Sequence, residues 1–206
     1  MPEFGDTHRS QKSLGTEKRK NIIESAMAGE YSLALEGLRD EDPKVRATSV
    51  TVLCENGVLD NELGCDAARD PHPIVRSSVA KSAARLYSLP ILELLRDVDF
   101  TVVEVACWAA GERGDRQDGV VSVLSDIALQ HEDSLCREAA VAALGAIGNA
   151  DGLNSILKAT TDVATVRRRA VLALAPFDNP AVTKALEKAL EDRDWQVRQA
   201  AEDLLM

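Results

Sequence analysis

The heptapeptide DPHPIVR at residues 70–76 marks a boundary that the chain repeats along its whole length. Six copies can be aligned, and they read DEDPKVR (40–46), DPHPIVR (70–76), DVDFTVV (97–103), HEDSLCR (131–137), TDVATVR (161–167) and DRDWQVR (192–198). The phrase therefore returns about every 30 residues, with Val103 in the place that Arg takes in the other copies. A period of this size predicts a stack of short units, each of which buries the apolar face of its neighbour.

Each copy of the phrase is predicted to start a helix. Asp accepts the free N–H groups of a first helical turn, and Pro is favoured there. The segment CREAAVAALGAIGN, residues 136–149, then places apolar side chains at helical spacing and ends with Gly148 as a stop signal. A second, shorter apolar segment precedes each phrase, as VVSVLSDIALQ does at residues 120–130. The pattern predicts six helical hairpins and no strand.

The repeated unit resembles the HEAT-repeat family, and most closely its bacterial HEAT-like branch, the phycobilisome-lyase-type repeats. The resemblance rests on D-x-D-[P/W]-x-V-R and A-A-x-x-A-L-G-x-I-G, best seen at residues 192–198 and 139–148, and it covers roughly residues 30–206. It implies an all-α chain, a right-handed α-solenoid of about six HEAT-like hairpins with an armadillo-type fold. It also implies that the Asp and Arg residues of the phrase pair between neighbouring repeats. The arginines expected to serve this structural ladder are Arg46, Arg76, Arg137, Arg167 and Arg198.

The sequence before the first repeat differs in character. Residues 1–16 show no periodicity, and we expect a disordered N-terminal arm there. Residues 17–206 are predicted to form one HEAT-like repeat domain that begins with a capping helix at 17–29. Thr16 would be the N-cap of this helix, and its apolar residues would cover the first repeat. These apolar residues are Ile22, Ile23 and Met27.

Composition restricts the compartment and the type of core. The chain has 206 residues, a net charge of −10, and 45% hydrophobic but only 3% aromatic residues, so the core must be built from Ala, Val and Leu. No apolar run approaches the roughly 18 residues of a membrane helix, and the N-terminus lacks a secretory signal. The four cysteines are scattered, which favours reduced thiols. We predict a cytoplasmic protein without a membrane span.

No pattern in the sequence predicts catalysis, a cofactor or a metal. Deoxyhypusine hydroxylase, a HEAT-like relative, holds two irons through His-Glu pairs at the starts of its repeat helices. None of the six corresponding positions here carries such a pair, and the single His131-Glu132 lies in a loop. His8 and His72 are far away along the chain, and no Ser-His-Asp or Cys-His spacing stands out. The prediction is a protein that is not an enzyme.

The candidate binding surface is the stripe along the second helices of the hairpins, which line the concave side in HEAT-like folds. Counted from the apolar residue before the last position of the phrase, residues 2, 6 and 10 of each helix face away from the core. The partner-binding candidates on this stripe are Lys81, Arg85, Glu104, Trp108, Glu112, Glu138, Ala142, Arg168 and Leu172. Trp108 is the large aromatic among them. It either anchors a partner beside small alanines or packs sideways into the space that they leave.

The function predicted from these features is a non-enzymatic scaffold or adaptor that binds an unidentified protein or peptide on the concave surface. The alternative is a bilin-lyase-like subunit that handles a tetrapyrrole, which rests on the resemblance alone. The acidic net charge argues against nucleic acid as a partner, because phosphate binding needs a positive groove. Trp195 takes the position of Pro in other copies and is expected to pack locally.

Overall fold

The structure is a computed structural model that describes residues 4–114, 117 and 119–206, with side chains described from residue 13 onward. Every regular element in these ranges is helical. The α-helices are α1 (Phe4–Met27), α2 (Ser32–Gly37), α3 (Pro43–Glu55), α4 (Asn61–Ala67), α5 (Pro73–Ala83), α6 (Ile91–Leu94), α7 (Phe100–Arg113), α8 (Val120–Gln130), α9 (Ser134–Ile147), α10 (Leu153–Ala159), α11 (Ala164–Ala173), α12 (Pro180–Ala189) and α13 (Trp195–Leu205). The predicted all-α class is confirmed, and α2 to α13 form the six predicted hairpins.

The phrase starts the second helix of each hairpin, as predicted. The side chain of Asp42 accepts a hydrogen bond from the Lys44 N–H at the start of α3, and Pro43 occupies the first turn. Helices α7, α9 and α13 begin in the same way on an Asp side chain. At α5, His72 replaces Asp, and its Nδ1 accepts from the Ile74 N–H at 3.2 Å. A side-chain acceptor at this position therefore fixes where each of these second helices begins.

The contacts divide the chain into two compact units, Met1–Pro90 and Ile91–Met206. In the first unit, α3 lies between α1 and α5. In the second unit, the second helices pack side by side in the order α7, α9, α11 and α13, while α8, α10 and α12 support them. Successive hairpins stacked in this way are the arrangement of an α-solenoid. The prediction that residues 17–206 form one continuous domain stays a prediction.

Small residues allow the second helices to approach closely. The predicted apolar stripe of α9 is buried, since Leu144 is 1% exposed and Ala143 is 2% exposed. A Cβ added at Gly145 would lie 2.8 Å from the Cα of Ala173 on α11, well inside van der Waals contact. The backbones of α9 and α11 therefore touch at this point, and only glycine fits there.

The N-terminal helix differs from the sequence prediction. Instead of a disordered arm up to residue 16, the structure continues α1 back to Phe4, so Thr16 lies inside the helix and is not its N-cap. The remaining residues of that arm, 1–3, lie outside the described residues. Gly15 is buried because the turn that contains it packs against Asp42, and this contact supports the helix before residue 17.

The face of α1 that covers the first hairpin was also only partly predicted. Ile22 is buried as expected, but its companion on the covered face is Ala26, four residues later. Ile23 and Met27 are 45% and 85% exposed, so they do not cover the first repeat. The error arises because residues separated by four positions share a helix face, and adjacent residues such as Ile22 and Ile23 do not.

Candidate functional site

The Arg–Asp pairs implied by the resemblance form at Arg46, Arg137 and Arg167. The Nε and Nη2 atoms of Arg137 donate to the two carboxylate oxygens of Asp162 at 2.7 and 2.9 Å. The Nη1 atom donates to the carbonyl oxygens of His131 and Glu132 at 2.8 and 3.0 Å. We call such an Arg–Asp pair, together with its carbonyl bonds, a rung. Two further rungs are Arg46 with Asp70 and Arg167 with Asp192.

The electrostatics of the rungs match a structural role. The hydrogen bond from Arg137 holds the pKa of the Asp162 carboxyl below its ordinary value, with a further contribution from the Val163 N–H. The same hydrogen bond raises the pKa of Arg137. Both groups are therefore held in their charged forms with pKa values moved away from neutral pH, whereas a catalytic acid or base works best with a pKa near the working pH. The rung arginines are part of the scaffold.

Variants of the rung occur at other positions. Lys18 on α1 reaches Asp40 at 2.6 Å, so a lysine from outside the repeats takes the place of the arginine. Arg76 and Arg198 also donate to the backbone of their own phrases, to the carbonyl oxygens of Asp70 and Asp192, at 2.8 and 2.7 Å. The first repeat is thus joined to α1 by the same kind of interaction that joins later repeats to each other.

The stripe predicted for partner binding is only partly open to solvent. In the unit Ile91–Met206, Trp108 is 44% exposed, so its indole is neither fully packed nor free. Glu112 and Arg168 are exposed, whereas the half-buried members are Glu104, Glu138, Ala142 and Leu172. In the unit Met1–Pro90, Lys81 is exposed on α5, and Arg85 is exposed just after that helix. The position of these two cations beside Trp108 stays a prediction.

A surface depression lies between α9 and α11, with a volume of about 490 Å³. Two predicted residues, Ala142 and Leu172, come together in its lining. The other lining residues used below are Gly145, Ala146, Arg169 and Pro176. Arg169 forms an ion pair with Glu138 at 3.3 Å across the two helices. The floor is therefore small and apolar, and one edge carries a paired cation.

Gly145 and Arg169 were not among the predicted site residues. The prediction selected residues at positions 2, 6 and 10 of each second helix, whereas Gly145 and Arg169 lie between those positions. Neighbouring second helices approach so closely that flanking positions reach the surface between them. The small size of Gly145 and Ala146 could have revealed the depression, because small side chains leave space on a helix surface.

The four cysteines are free thiols, as predicted. Burial raises the pKa of the Cys107 thiol far above its ordinary value, and burial also raises the pKa of Cys136 to about 11. The Cys136 thiol donates to the Phe100 carbonyl oxygen at 3.2 Å. Protonated, buried thiols such as these are poor nucleophiles and behave as small apolar side chains.

In the part of the chain that the structure describes, no group of three or more His, Cys, Asp or Glu side chains is arranged to hold a metal ion. No helix there is both long enough and apolar enough to cross a bilayer.

The chain matches two family models. The model described as HEAT repeats matches residues 88–167, and the model described as PBS lyase HEAT-like repeat matches residues 166–192. No curated protein matches the chain by sequence.

Solved structures share the fold. The Escherichia coli protein YibA is 20% identical, with a TM-score of 0.64 over 95% of this chain and 74% of that chain. The complex of CpcE and CpcF of phycocyanin lyase from a Nostoc species is 23% identical, with a TM-score of 0.59 over 85% and 75%. A designed armadillo repeat protein is 17% identical, with a TM-score of 0.59 over 84% and 97%. At these identities the likeness concerns the fold alone. Since the two repeat models together span about half of the chain, and the ladder continues the same pattern outside them, the chain is a HEAT-like repeat protein.

Proposed function

We propose that this chain is a non-enzymatic scaffold that binds a protein segment on the stripe formed by its second helices, with Trp108 as the anchor. The observation that carries the proposal is the 44% exposure of Trp108, because a half-exposed indole offers a large apolar area to a partner. Tryptophan is among the residue types most enriched in the side chains that dominate binding energy.

The depression between α9 and α11 supports a peptide as the partner. Its floor of Ala142, Gly145 and Ala146 leaves room for an apolar side chain, and Leu172 adds an apolar wall. Charged groups of both signs lie on the same stripe, namely Glu104, Glu112, Glu138 and Arg168. An apolar centre within a polar rim is the usual construction of a protein interface. Lys81 and Arg85, exposed in the other unit, are proposed as further contacts of the partner.

The same features favour a protein over nucleic acid as the partner, and the cytoplasm as the compartment. The net charge of −10 repels phosphate groups, and the rung arginines are already committed to carboxylates. Four free thiols are typical of a reducing compartment.

The test is affinity capture with two matched tryptophan variants. Trp195 is 65% exposed at the start of α13, outside the stripe, so Trp195→Ala removes an exposed indole without touching the proposed surface. We expect the wild type and Trp195→Ala to retain the same partner and Trp108→Ala to lose it. In a Trp195→Phe background, the remaining indole emission should shift when the purified partner is added. If Trp108→Ala retained the partner as well as the wild type does, Trp108 would not be the anchor.

The alternative function is a bilin-lyase-like subunit. Its support is the likeness in fold to the complex of CpcE and CpcF of phycocyanin lyase. The discriminating observation is absorbance in the visible region. A subunit that handles a tetrapyrrole should carry colour when purified with its partner or mixed with a free bilin, whereas an adaptor should stay colourless in both cases.

A further inference from the structure

One rung of the ladder lacks its arginine, and a histidine replaces the Asp that begins most copies of the phrase. The third copy of the phrase ends in Val103 where the other copies end in Arg. The fourth copy begins with His131, at the first place of the phrase, where Asp70 and Asp192 accept from the arginines of preceding copies. Its carboxylate, Glu132, stands at the second place, as Asp162 does in the fifth copy. The Nδ1 atom of His131 accepts from the Asp133 N–H at 3.1 Å, as the Asp40 carboxylate does from the Asp42 N–H. His131 thus keeps the turn but supplies no negative charge.

The other copies of the phrase show which group belongs at the position of Val103. In four copies, the guanidinium donates to the carbonyl oxygen of the second residue of its own phrase, at 3.1 Å to Glu41, 3.0 Å to Glu132, 2.8 Å to Asp162 and 3.3 Å to Arg193. Val98 is the corresponding residue of the third copy, and the Val103 side chain has no donor to offer it. Val98 is 99% exposed, so this acceptor can be approached from solvent.

A surface cavity of about 670 Å³ lies at this place. Its lining comes from the two loops that a rung would bridge, and consists of Val98, Phe100, Gln130, His131, Glu132 and Asp133. The ring of Phe100 is 46% exposed. The lining contains two carboxylates and no lysine or arginine. The Asp133 carboxylate already accepts from the Leu135 N–H at 2.7 Å, so Glu132 is the carboxylate with more capacity for a new partner.

A guanidinium matches this lining better than other cations do. It is planar and can stack on an aromatic face such as that of Phe100. Its several N–H groups can donate to the Val98 carbonyl oxygen and to the Glu132 carboxylate at the same time. An ammonium group carries the charge but lacks the flat, forked geometry.

We propose that this cavity binds an arginine side chain of a protein partner, which takes the place of the guanidinium that the third repeat lacks. The site is separate from the stripe around Trp108 and does not depend on it. A partner recognised by the scaffold would then also need an arginine side chain that reaches this cavity.

The first experiment titrates the full chain with three short blocked peptides that differ at one residue, carrying arginine, lysine or the neutral isostere citrulline. Backbone amide shifts are followed by NMR. We expect the arginine peptide to shift the amides of Asp99, Glu132 and Asp133, the lysine peptide to bind more weakly, and the citrulline peptide to leave them unchanged. Equal shifts with citrulline, or shifts spread evenly over the acidic surface, would overturn the proposal.

Two variants that change the rung give opposite expectations. His131→Asp restores the missing carboxylate while keeping the turn acceptor, and should tighten binding of the arginine peptide about three- to tenfold. The double variant V103R/H131D should form the rung internally, raise the thermal midpoint and abolish binding. If the double variant does not fold, Glu132→Gln and Phe100→Ala serve instead, and each should weaken binding at least about threefold. Unchanged binding in the folded double variant, or in both single variants, would contradict the site.

Discussion

At the scale of single residues, each rung joins two hairpins through charges that are both mostly buried. The side chains of Arg167 and Asp192 are 7% and 14% exposed. A buried charge without its partner is costly, so removal of one member destabilises more than the pair contributes in net terms. The identity of these residues could be predicted from the sequence because Arg ends most copies of the phrase and the Asp stands at its first or second place. The packing of Trp195 could not, because it takes the place of Pro in other copies but its larger ring extends into solvent.

The rung between Arg137 and Asp162 should make stability depend on pH. Since folding lowers the pKa of Asp162, its contribution is fully present above the ordinary carboxyl pKa of about 3.9 and is lost as the pH falls through the lower folded value. Asp162→Asn removes this contribution. Urea unfolding should therefore show a large difference between wild type and variant at about pH 7.

The difference in the free energy of unfolding between wild type and Asp162→Asn should become smaller towards the lowest pH at which both proteins remain folded. Glu187→Gln, which changes an exposed carboxylate on α12, is the control and should leave stability at neutral pH within about 0.5 kcal/mol. A difference for Asp162→Asn that stays constant with pH would show that the charge of the rung does not stabilise the fold.

At the scale of helices, the chain uses glycine where two second helices touch. The position of each hairpin was predictable, because the phrase marks a helix start and the apolar spacing marks its length. The length of α1 was not, because the segment before residue 17 has no apolar period, and its helix depends on contacts such as that of Gly15 with Asp42. The depression between α9 and α11 was not itself predicted, although two of its lining residues, Ala142 and Leu172, belong to the predicted stripe. The rest of its lining depends on how closely α9 and α11 approach each other, and the sequence of one helix does not show that distance.

Gly145→Ala should destabilise the protein although alanine is the better helix former. The gain in helix propensity is about 1 kcal/mol. Against it, the new methyl group would lie 2.7 to 3.0 Å from the Cβ, Cα and carbonyl oxygen atoms of Ala173, which are part of or next to the backbone. We expect a net loss of about 1–3 kcal/mol in the free energy of unfolding, measured by urea.

Gly111→Ala is the matched comparison. Its added Cβ would meet the Cα of Ala143 at 3.0 Å, and the nearest side-chain atom would lie at 3.4 Å, so the neighbouring helix has less to move. The loss should be smaller than for Gly145→Ala. If Gly145→Ala were more stable than the wild type, α9 and α11 would be able to move apart easily, and the depression between them would have no fixed shape.

At the scale of the whole molecule, the chain divides into two compact units, and within each unit the hairpins contact their neighbours. Stability in such a series is approximately a sum of hairpin terms and neighbour terms. A destabilising substitution in one hairpin should therefore lower stability first within its own unit.

Two core substitutions test this local response. Leu144→Ala, in the unit Ile91–Met206, should cost about 2–5 kcal/mol because Leu144 is 1% exposed. Val50→Ala, in the unit Met1–Pro90, removes a side chain that is fully buried. Native-state hydrogen exchange should show reduced protection mainly in α9 and its neighbours for Leu144→Ala and mainly in α3 and its neighbours for Val50→Ala. Equal loss over all helices from either change would indicate a single cooperative block.

The rungs also bear on how such a chain can lengthen or shorten during evolution. Arg137 bonds to carbonyl groups of its own loop and to an Asp 25 residues later, which belongs to the next hairpin. A gene duplication or deletion that begins just before one such Asp and ends just before the next would leave every arginine opposite a carboxylate. Recombination at these points, which lie in the loop between the two helices of a hairpin, would therefore yield proteins with intact ladders. A deletion that removes the Asp but keeps its arginine would leave a buried charge without its partner.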